Sequence, residues 1–303
     1  MCGIVGLFLK DKSLEPKLGQ MLSEMLITMT DRGPDSAGIA IYGQEQKGRS
    51  KLTIQSEGGR EDYAALQSDL ADALGADISI TPNDTHAVID VAAEQASELR
   101  AILSTQHPDI RVMSQGDSIE IYKEVGLPGA VSERFHVSAM AGSHGIGHTR
   151  MATESAVTTD GAHPYSTGPD QCLVHNGSLS NHNALRRKLT RNGIKIESQN
   201  DTEVGAAYLT WKMSQGNSLG EALESSLKDL DGFFTFVVGT KDGFGVLRDP
   251  IACKPAVLAE TDQYVAFGSE YRALVNLPGI EDARVWEPEP ATVYFWSHYY
   301  VDL

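Results

Sequence analysis

The chain has 303 residues, enough to bury a substantial core in one large domain or two modest ones. Its 41 acidic against 25 basic side chains give a formal net charge of -16, which disfavours nucleic acid and anionic membrane as partners, because either demands a basic face. Three scattered cysteines, Cys2, Cys172 and Cys253, make neither a CxxC pair nor a disulfide framework, and no run approaches the roughly 20 apolar residues of a membrane span, so a soluble protein of the reducing cytoplasm is expected.

The chain opens Met1, Cys2, Gly3, Ile4, Val5, Gly6, a short β-like run followed by Lys10 and Asp11 and lacking the basic lead-in of a signal peptide. Methionine is commonly trimmed before a side chain as small as cysteine. Trimming would leave a thiol and a free α-amine on one residue, with reference pKa values of about 8.5 and roughly 7.7 to 8.0. At neutral pH the unprotonated fraction of that amine can take the thiol proton and later return it to a departing amine.

Next, Leu14, Leu18, Met21, Leu22, Met25, Leu26 and Met29 recur at three- and four-residue steps, predicting an amphipathic helix with Ser13 as its cap and its methionines in the core. The turn DRGPDS leads into the strand-like AGIAIYG. From Glu61 to about Pro108 the chain turns Ala-rich and helical, with a short β-like piece at Ile78 to Ile80, and reads as an inserted α/β lobe. Within it THAVIDV fits strand or helix equally, its apolar run being too short for periodicity to separate them.

Beyond the lobe, strand-like runs dominate: DSIEIYK, GSHGIGHTR, CLVHNG, GFFTFVVG, GFGVLRD, PAVLAE, YVAFGSE and ATVYFW. Among them sit helices at about Leu179 to Asn192, Thr202 to Gln215 and Leu219 to Leu230, the last opened by Ser218 and Glu221 at capping-box spacing. Strands in blocks with helices between blocks predict antiparallel sheets covered by helices.

Four segments stand out besides the terminus: RGPDS at Arg32, GHTRMAT at 147–153, HNG at 175–177 and NDTE at 200–203. Singly, each has an ordinary reading: a turn for Asn-Gly, a helix cap for Asp201, a solvated charge for Arg150. In this order, behind Cys-Gly-Ile-Val-Gly, they resemble the class II glutamine amidotransferase domain of the N-terminal-nucleophile (Ntn) hydrolases. That domain is found in glucosamine-6-phosphate synthase, amidophosphoribosyltransferase, asparagine synthetase and glutamate synthase. The resemblance covers roughly residues 1 to 60 and 111 to 303.

It implies an α+β fold, a four-layer αββα sandwich of antiparallel sheets, forming one domain over 1–303 with an insertion at about 61–108. It further implies that Cys2 attacks the side-chain amide of glutamine to give a γ-glutamyl thioester and ammonia. Asn176 and Gly177 would steady the oxyanion, Arg150 would pair bidentately with the α-carboxylate, Asp201 would accept the α-ammonium, and the backbone around Thr153 would face the substrate. Arg32, Asp35 and Ser36 match a turn that orders the site, and His163 matches a recurrent structural His-Pro. Several relatives carry His where this chain has Glu154, a departure that bears on that loop.

His144 and His148, four apart in a strand, lie about 13 Å from each other at roughly 3.3 Å per residue and cannot share a zinc ion, so no metal is expected. GSHGIG misses the GxGxxG order, and no cofactor is expected in this chain. Cys172 and Cys253 read as core thiols. With the chain ending at Leu303 soon after its last strands, no acceptor domain is expected. The expectation is a glutaminase subunit that passes ammonia to a partner synthase of the glutamate-synthase-like or N-methylglutamate-synthase-like type. The alternatives are a stand-alone Ntn amidase or a non-catalytic scaffold subunit.

Overall fold

The computed structural model describes residues 2–152 and 156–298. Its strands are β1 (Gly3–Leu9), β2 (Ser36–Tyr42), β3 (Arg49–Gln55), β4 (Ser79–Asn83), β5 (His86–Ala92), β6 (Arg111–Gly116), β7 (Ile119–Val125), β8 (His144–Arg150), β9 (Tyr165–Gly168), β10 (Gln171–Leu179), β11 (Gly232–Thr240), β12 (Gly243–Arg248), β13 (Val257–Glu260), β14 (Tyr264–Gly268), β15 (Arg284–Trp286) and β16 (Val293–Ser297). Its α-helices are α1 (Leu18–Ile27), α2 (Arg60–Leu74), α3 (Ala96–Gln106), α4 (Pro128–Arg134), α5 (His182–Arg191), α6 (Asp201–Ser214) and α7 (Leu219–Asp229). No helix among the described residues is long and apolar enough to cross a membrane.

Every residue of β1 is buried, which is why that strand is apolar throughout rather than alternating. It lies inside a seven-stranded antiparallel sheet ordered β15-β13-β14-β1-β8-β2-β7. Val5, Leu7 and Leu9 face outward onto α1, where Leu18, Met21, Leu22, Met25 and Leu26 meet them, so the methionines are core as their spacing predicts. Ile4 and Phe8 face inward and pack with Cys172, Val174, Val237 and Phe244 of a second sheet, ordered β16-β12-β11-β10-β9. The far side of that second sheet offers Leu173, Phe234, Phe236 and Val238 to Leu185, Leu189, Tyr208 and Leu223 of α5, α6 and α7. The result is the expected four layers, helix, sheet, sheet and helix. Each fully buried aliphatic or aromatic side chain contributes about 1.5 to 3 kcal/mol, so these interfaces hold the polar site in place.

A third sheet, β4-β5-β3-β6, packs against α2 and α3 around its own core of Leu52, Ile54, Tyr63, Leu70, Ile89 and Leu99. THAVIDV is the strand β5. β3 and β6 come from either side of 61–108, so this sheet is laced to the main body on both sides. The joint from β6 to β7 is pinned by Asp170, whose carboxylate accepts the N–H groups of Asp117, Ser118 and Ile119 at 2.8, 2.9 and 3.0 Å.

Two expectations need correction. The first helix is entered through a 3-10 turn over Lys12–Lys17, and its cap is Asp11, whose side chain accepts the Ser13 N–H at 2.8 Å; Ser13 is donor, not cap. Cys253 is exposed in the loop between β12 and β13, whereas Cys172 is buried as expected. The predicted helices after β10 appear within a few residues of their expected ends, and α7 carries the full capping box of Ser218 and Glu221.

Candidate active site

Cys2 immediately precedes β1, half-buried, where three strands converge. In the antiparallel register Gly3 faces Thr149 on β8, so the residues that follow, Arg150 and Met151, flank the cysteine. The Cys2 thiol lies 3.9 Å from the Met151 carbonyl. Its own carbonyl accepts two hydrogen bonds, from Arg32 Nε at 3.0 Å and from Asn176 Nδ2 at 3.2 Å. One comes from the turn before β2 and the other from β10 in the facing sheet.

Arg32 is held in turn by Glu270, 2.5 Å from its Nη1, and Glu270 also pairs with Arg272 at 2.7 Å. Asp35 clamps the end of β8: its N–H donates to the Arg150 carbonyl at 3.1 Å and its carboxylate accepts the Ala152 N–H at 2.8 Å. One residue further into the strand, Ile4 and Ser269 exchange hydrogen bonds, Ile4 N–H to Ser269 Oγ and Ser269 N–H to Ile4 C=O, both at 2.9 Å. The cysteine is thereby fixed through its backbone, with its sulfur beside the Met151 carbonyl.

Arg150 is 6% exposed, and its Nη1 donates to the Ala156 carbonyl at 3.2 Å. Gly161 closes over it: a Cβ there would approach Nη1 to 2.7 Å. Thr153 and Glu154 lie outside the described residues. Gly177 follows Asn176 with φ +147°, and a Cβ on it would fall 1.9 Å from the Phe233 carbonyl, so only glycine fits between β10 and β11 there. The N-cap of α6 is Asn200, whose side chain accepts the Thr202 N–H at 2.9 Å. That leaves the Asp201 carboxylate for other partners: it accepts the Leu179 N–H of β10 at 2.9 Å and lies 3.8 Å from His175 Nδ1.

Behind Asn176 the buried polar groups form a closed ring. His148 Nε2 lies 3.2 Å from the His175 carbonyl, His163 Nδ1 is 3.0 Å from His148 Nδ1, His163 Nε2 is 2.7 Å from Thr202 Oγ1, and Thr202 Oγ1 is 3.0 Å from His175 Nδ1. A carbonyl can only accept, so His148 Nε2–H donates to that of His175. His163 Nδ1 lies over the face of the His148 ring, 3.0 Å from its Nδ1 and 3.1 Å from its Nε2, with the two rings 78° apart. The Thr202 hydroxyl sits between His163 Nε2 and His175 Nδ1, with one hydrogen to donate to one ring and lone pairs to accept from the other. Burial favours the neutral imidazoles, pushing His148 down to about 3 and His163 well below the usual range, with neighbouring histidines adding to the shift. For His175 burial also lowers the pKa, with Asp201 opposing it. The ring begins and ends on His175, so it fixes the backbone from which Asn176 and Gly177 project.

Of the residues singled out in the sequence, Cys2, Arg32 and Asn176 form one hydrogen-bonded group, with Gly177 adjoining it. Arg150 and Asp35 adjoin that group through the end of β8. Asp201 and His163 are tied to β10 through Leu179 and through Thr202. The sequence reading missed Thr202, His148, Ser269 and Glu270 as parts of this site. Thr202 sat inside the NDTE segment and His148 inside GHTRMAT, but nothing local says that they meet.

A family model described as glutamine amidotransferase domain matches residues 148–276. Over 298 residues the chain is 70% identical to the glutamine amidotransferase-like protein GlxB of Rhizobium meliloti, covering 98% of this chain and 99% of that one. It is 30% identical over 167 residues to the amidophosphoribosyltransferase of Methanocaldococcus jannaschii, covering 54% of this chain and 36% of the other. Among solved structures, the glutamine phosphoribosylpyrophosphate amidotransferase from B. subtilis matches with a TM-score of 0.63 at 19% identity, over 98% of this chain and 47% of that one. The chain thus spans about half the length of that structure, and the likeness speaks to the fold.

Proposed function

Because the chain belongs to the class II glutamine amidotransferase family, with Cys2 in the position of its N-terminal nucleophile, we propose that it hydrolyses glutamine through a Cys2 thioester and delivers the ammonia to a partner synthase subunit. The observation that carries this reading is the convergence on Cys2, whose carbonyl is gripped by Arg32 and Asn176 from two different layers.

With Met1 removed, the α-amine of Cys2 takes the thiol proton as sulfur attacks the amide carbon of glutamine. The carbonyl oxygen becomes an oxyanion. Asn176 Nδ2 carries two hydrogens, one engaged by the Cys2 carbonyl and one to spare, and the Gly177 N–H stands beside it without a Cβ. Removing one such donor typically costs about 10²- to 10³-fold in rate. The intermediate collapses by breaking the carbon–nitrogen bond, and the proton leaves with ammonia. Water then attacks the thioester, glutamate departs, and sulfur regains its proton. Arg150 suits the substrate's α-carboxylate and Asp201 its α-ammonium, each being set in place by backbone partners.

The partner is the finer part of the proposal. In this reading the acceptor is a synthase of the glutamate-synthase-like or N-methylglutamate-synthase-like kind, and copurification from native extracts of only an unrelated acceptor enzyme would count against it. Cys2→Ala should abolish ammonia release from glutamine while leaving the circular dichroism spectrum and unfolding midpoint unchanged. Wild-type release by that variant would refute the nucleophile assignment.

A further inference from the structure

A cavity of about 700 Å³ opens between the third sheet's lobe and the main body, walled by α3 and β6 on one side and by β9 and the 193–198 loop on the other. Four cationic side chains line it, and two are already matched: Arg111 pairs with Asp160 at 2.8 Å and Lys195 with Glu197 at 2.6 Å. The remaining carboxylate, Glu203, accepts the N–H groups of Glu197 and Ser198 at 2.7 and 2.6 Å.

Arg100 and Lys123 are left over, and among the described residues neither forms an ion pair. Arg100 Nη1 reaches only Gln115 Oε1, at 3.5 Å, and Lys123 Nζ donates to the carbonyls of Ala162 and Pro164 at 2.9 and 3.3 Å. Lys123 is 4% exposed. Burial pushes its pKa down to about 8 and lowers that of Arg100. Lys123 Nζ rests 4.3 Å from the centre of the Tyr165 ring, and carboxylates act on the two cations only from beyond ion-pair distance, Asp160 and Glu203 on Lys123 and Glu197 on Arg100, so a further negative charge in the cavity would stabilise both.

We propose that this cavity is a binding site for a small anion, a phosphate or carboxylate head neutralised by Arg100 and Lys123 with its apolar portion against Ile110, Met113 and Ile194. The site is wired to the reaction centre. Ala162 and Pro164, the acceptors of Lys123, flank His163 of the histidine ring, and the same 156–164 segment holds Arg150 through Ala156 and Gly161. An anion that draws on Lys123 therefore acts on the segment shaping the glutamine carboxylate site, and glutamine affinity is the quantity it regulates.

Isothermal titration calorimetry of the full chain with inorganic phosphate and with glutarate tests the site. The expected result is saturable binding, tighter for whichever head group the cavity fits, weakened about tenfold or more by Arg100→Gln and retained in Arg150→Lys. No saturable heat with either probe overturns the proposal, as does binding that Arg100→Gln leaves unchanged or that Arg150→Lys abolishes, which would put the anion in the glutamine pocket. The regulatory half rests on the glutaminase reading. The bound anion should shift KM for glutamine by about fivefold or more in wild type and not in Arg100→Gln. An unmoved KM with the anion bound overturns the coupling alone. Lack of glutaminase turnover counts against the function and not against the site, since calorimetry needs no turnover.

Discussion

Thr202 has one hydroxyl hydrogen and two imidazole neighbours, His163 and His175, so it must donate to one and accept from the other at the same time. No other small side chain except serine can do both. Thr202→Val keeps the shape, leaves two buried ring nitrogens unpaired, and should cost about 1 to 3 kcal/mol of stability. Its kinetic mark is a kcat lowered about tenfold or more with a smaller change in KM, because the ring positions Asn176 rather than touching substrate. Thr202→Ser should restore most of kcat. A kcat equal to wild type in the Val variant would show that the ring does not govern the oxyanion donors. At this scale the sequence was informative where chemistry dictates residue type: a cysteine next to the start, an Asn-Gly pair, an arginine at a strand end. Thr202, Glu270 and Ser269 were illegible for the opposite reason. Their meaning lies in partners far along the chain, Arg32 to Glu270 and Ile4 to Ser269, and no local pattern encodes those pairings.

Helix α7 illustrates what an element declares about itself. Ser218 accepts the Glu221 N–H at 3.2 Å, and Glu221 returns a bond from the Ser218 N–H at 2.8 Å, a reciprocal pair readable from spacing alone. Ser218→Ala should lower stability by about 1 kcal/mol, seen as a lower urea midpoint with unchanged glutaminase activity. An unchanged midpoint would mean that packing of Leu219, Ala222 and Leu223 alone sets the helix start. The first helix was less transparent, because Asp11 caps a 3-10 turn and the α-helical portion begins only at Leu18. Strand β5 was ambiguous because seven residues hold too few periods to separate helix from strand. The seven-residue helix α4 opens on Pro128 with no side-chain cap, and the short strands β9 and β15 are defined by their neighbours in the sheet.

The molecule buries His86, His144, His148, His163 and His175, whose pKa values burial lowers, and this sets its response to acid. His86, His144 and His148 are each lowered from the usual 6.5 to about 3, burial being the leading cause. Below pH 6.5 the unfolded chain takes up protons that the folded chain refuses, so stability is full above that pH and is lost progressively towards pH 3. Asp229, held below the usual carboxylate range by the Tyr208 hydroxyl, adds to the loss in the same direction at lower pH. The thermal midpoint should therefore fall steeply between pH 6.5 and 4.5, a summed loss on the order of several kcal/mol. A flat midpoint over that interval would mean that these histidines are protonated in the folded state. The layered architecture itself was legible, since apolar strand runs and capped helices imply covered antiparallel sheets. Which strands become neighbours was not. The site exists because β1 of one sheet and β10 of the other bring Cys2 and Asn176 together across the sandwich.

The most direct test of the reactive first residue uses a glutamine analogue with an electrophilic diazoketone in place of its amide, followed by intact-mass and peptide mass spectrometry of the labelled protein. The account predicts a single adduct, carried by Cys2 on a chain that lacks Met1, and no labelling when excess glutamine is present. Label on Cys172 or Cys253, or a chain that retains Met1 yet reacts equally well, would contradict it.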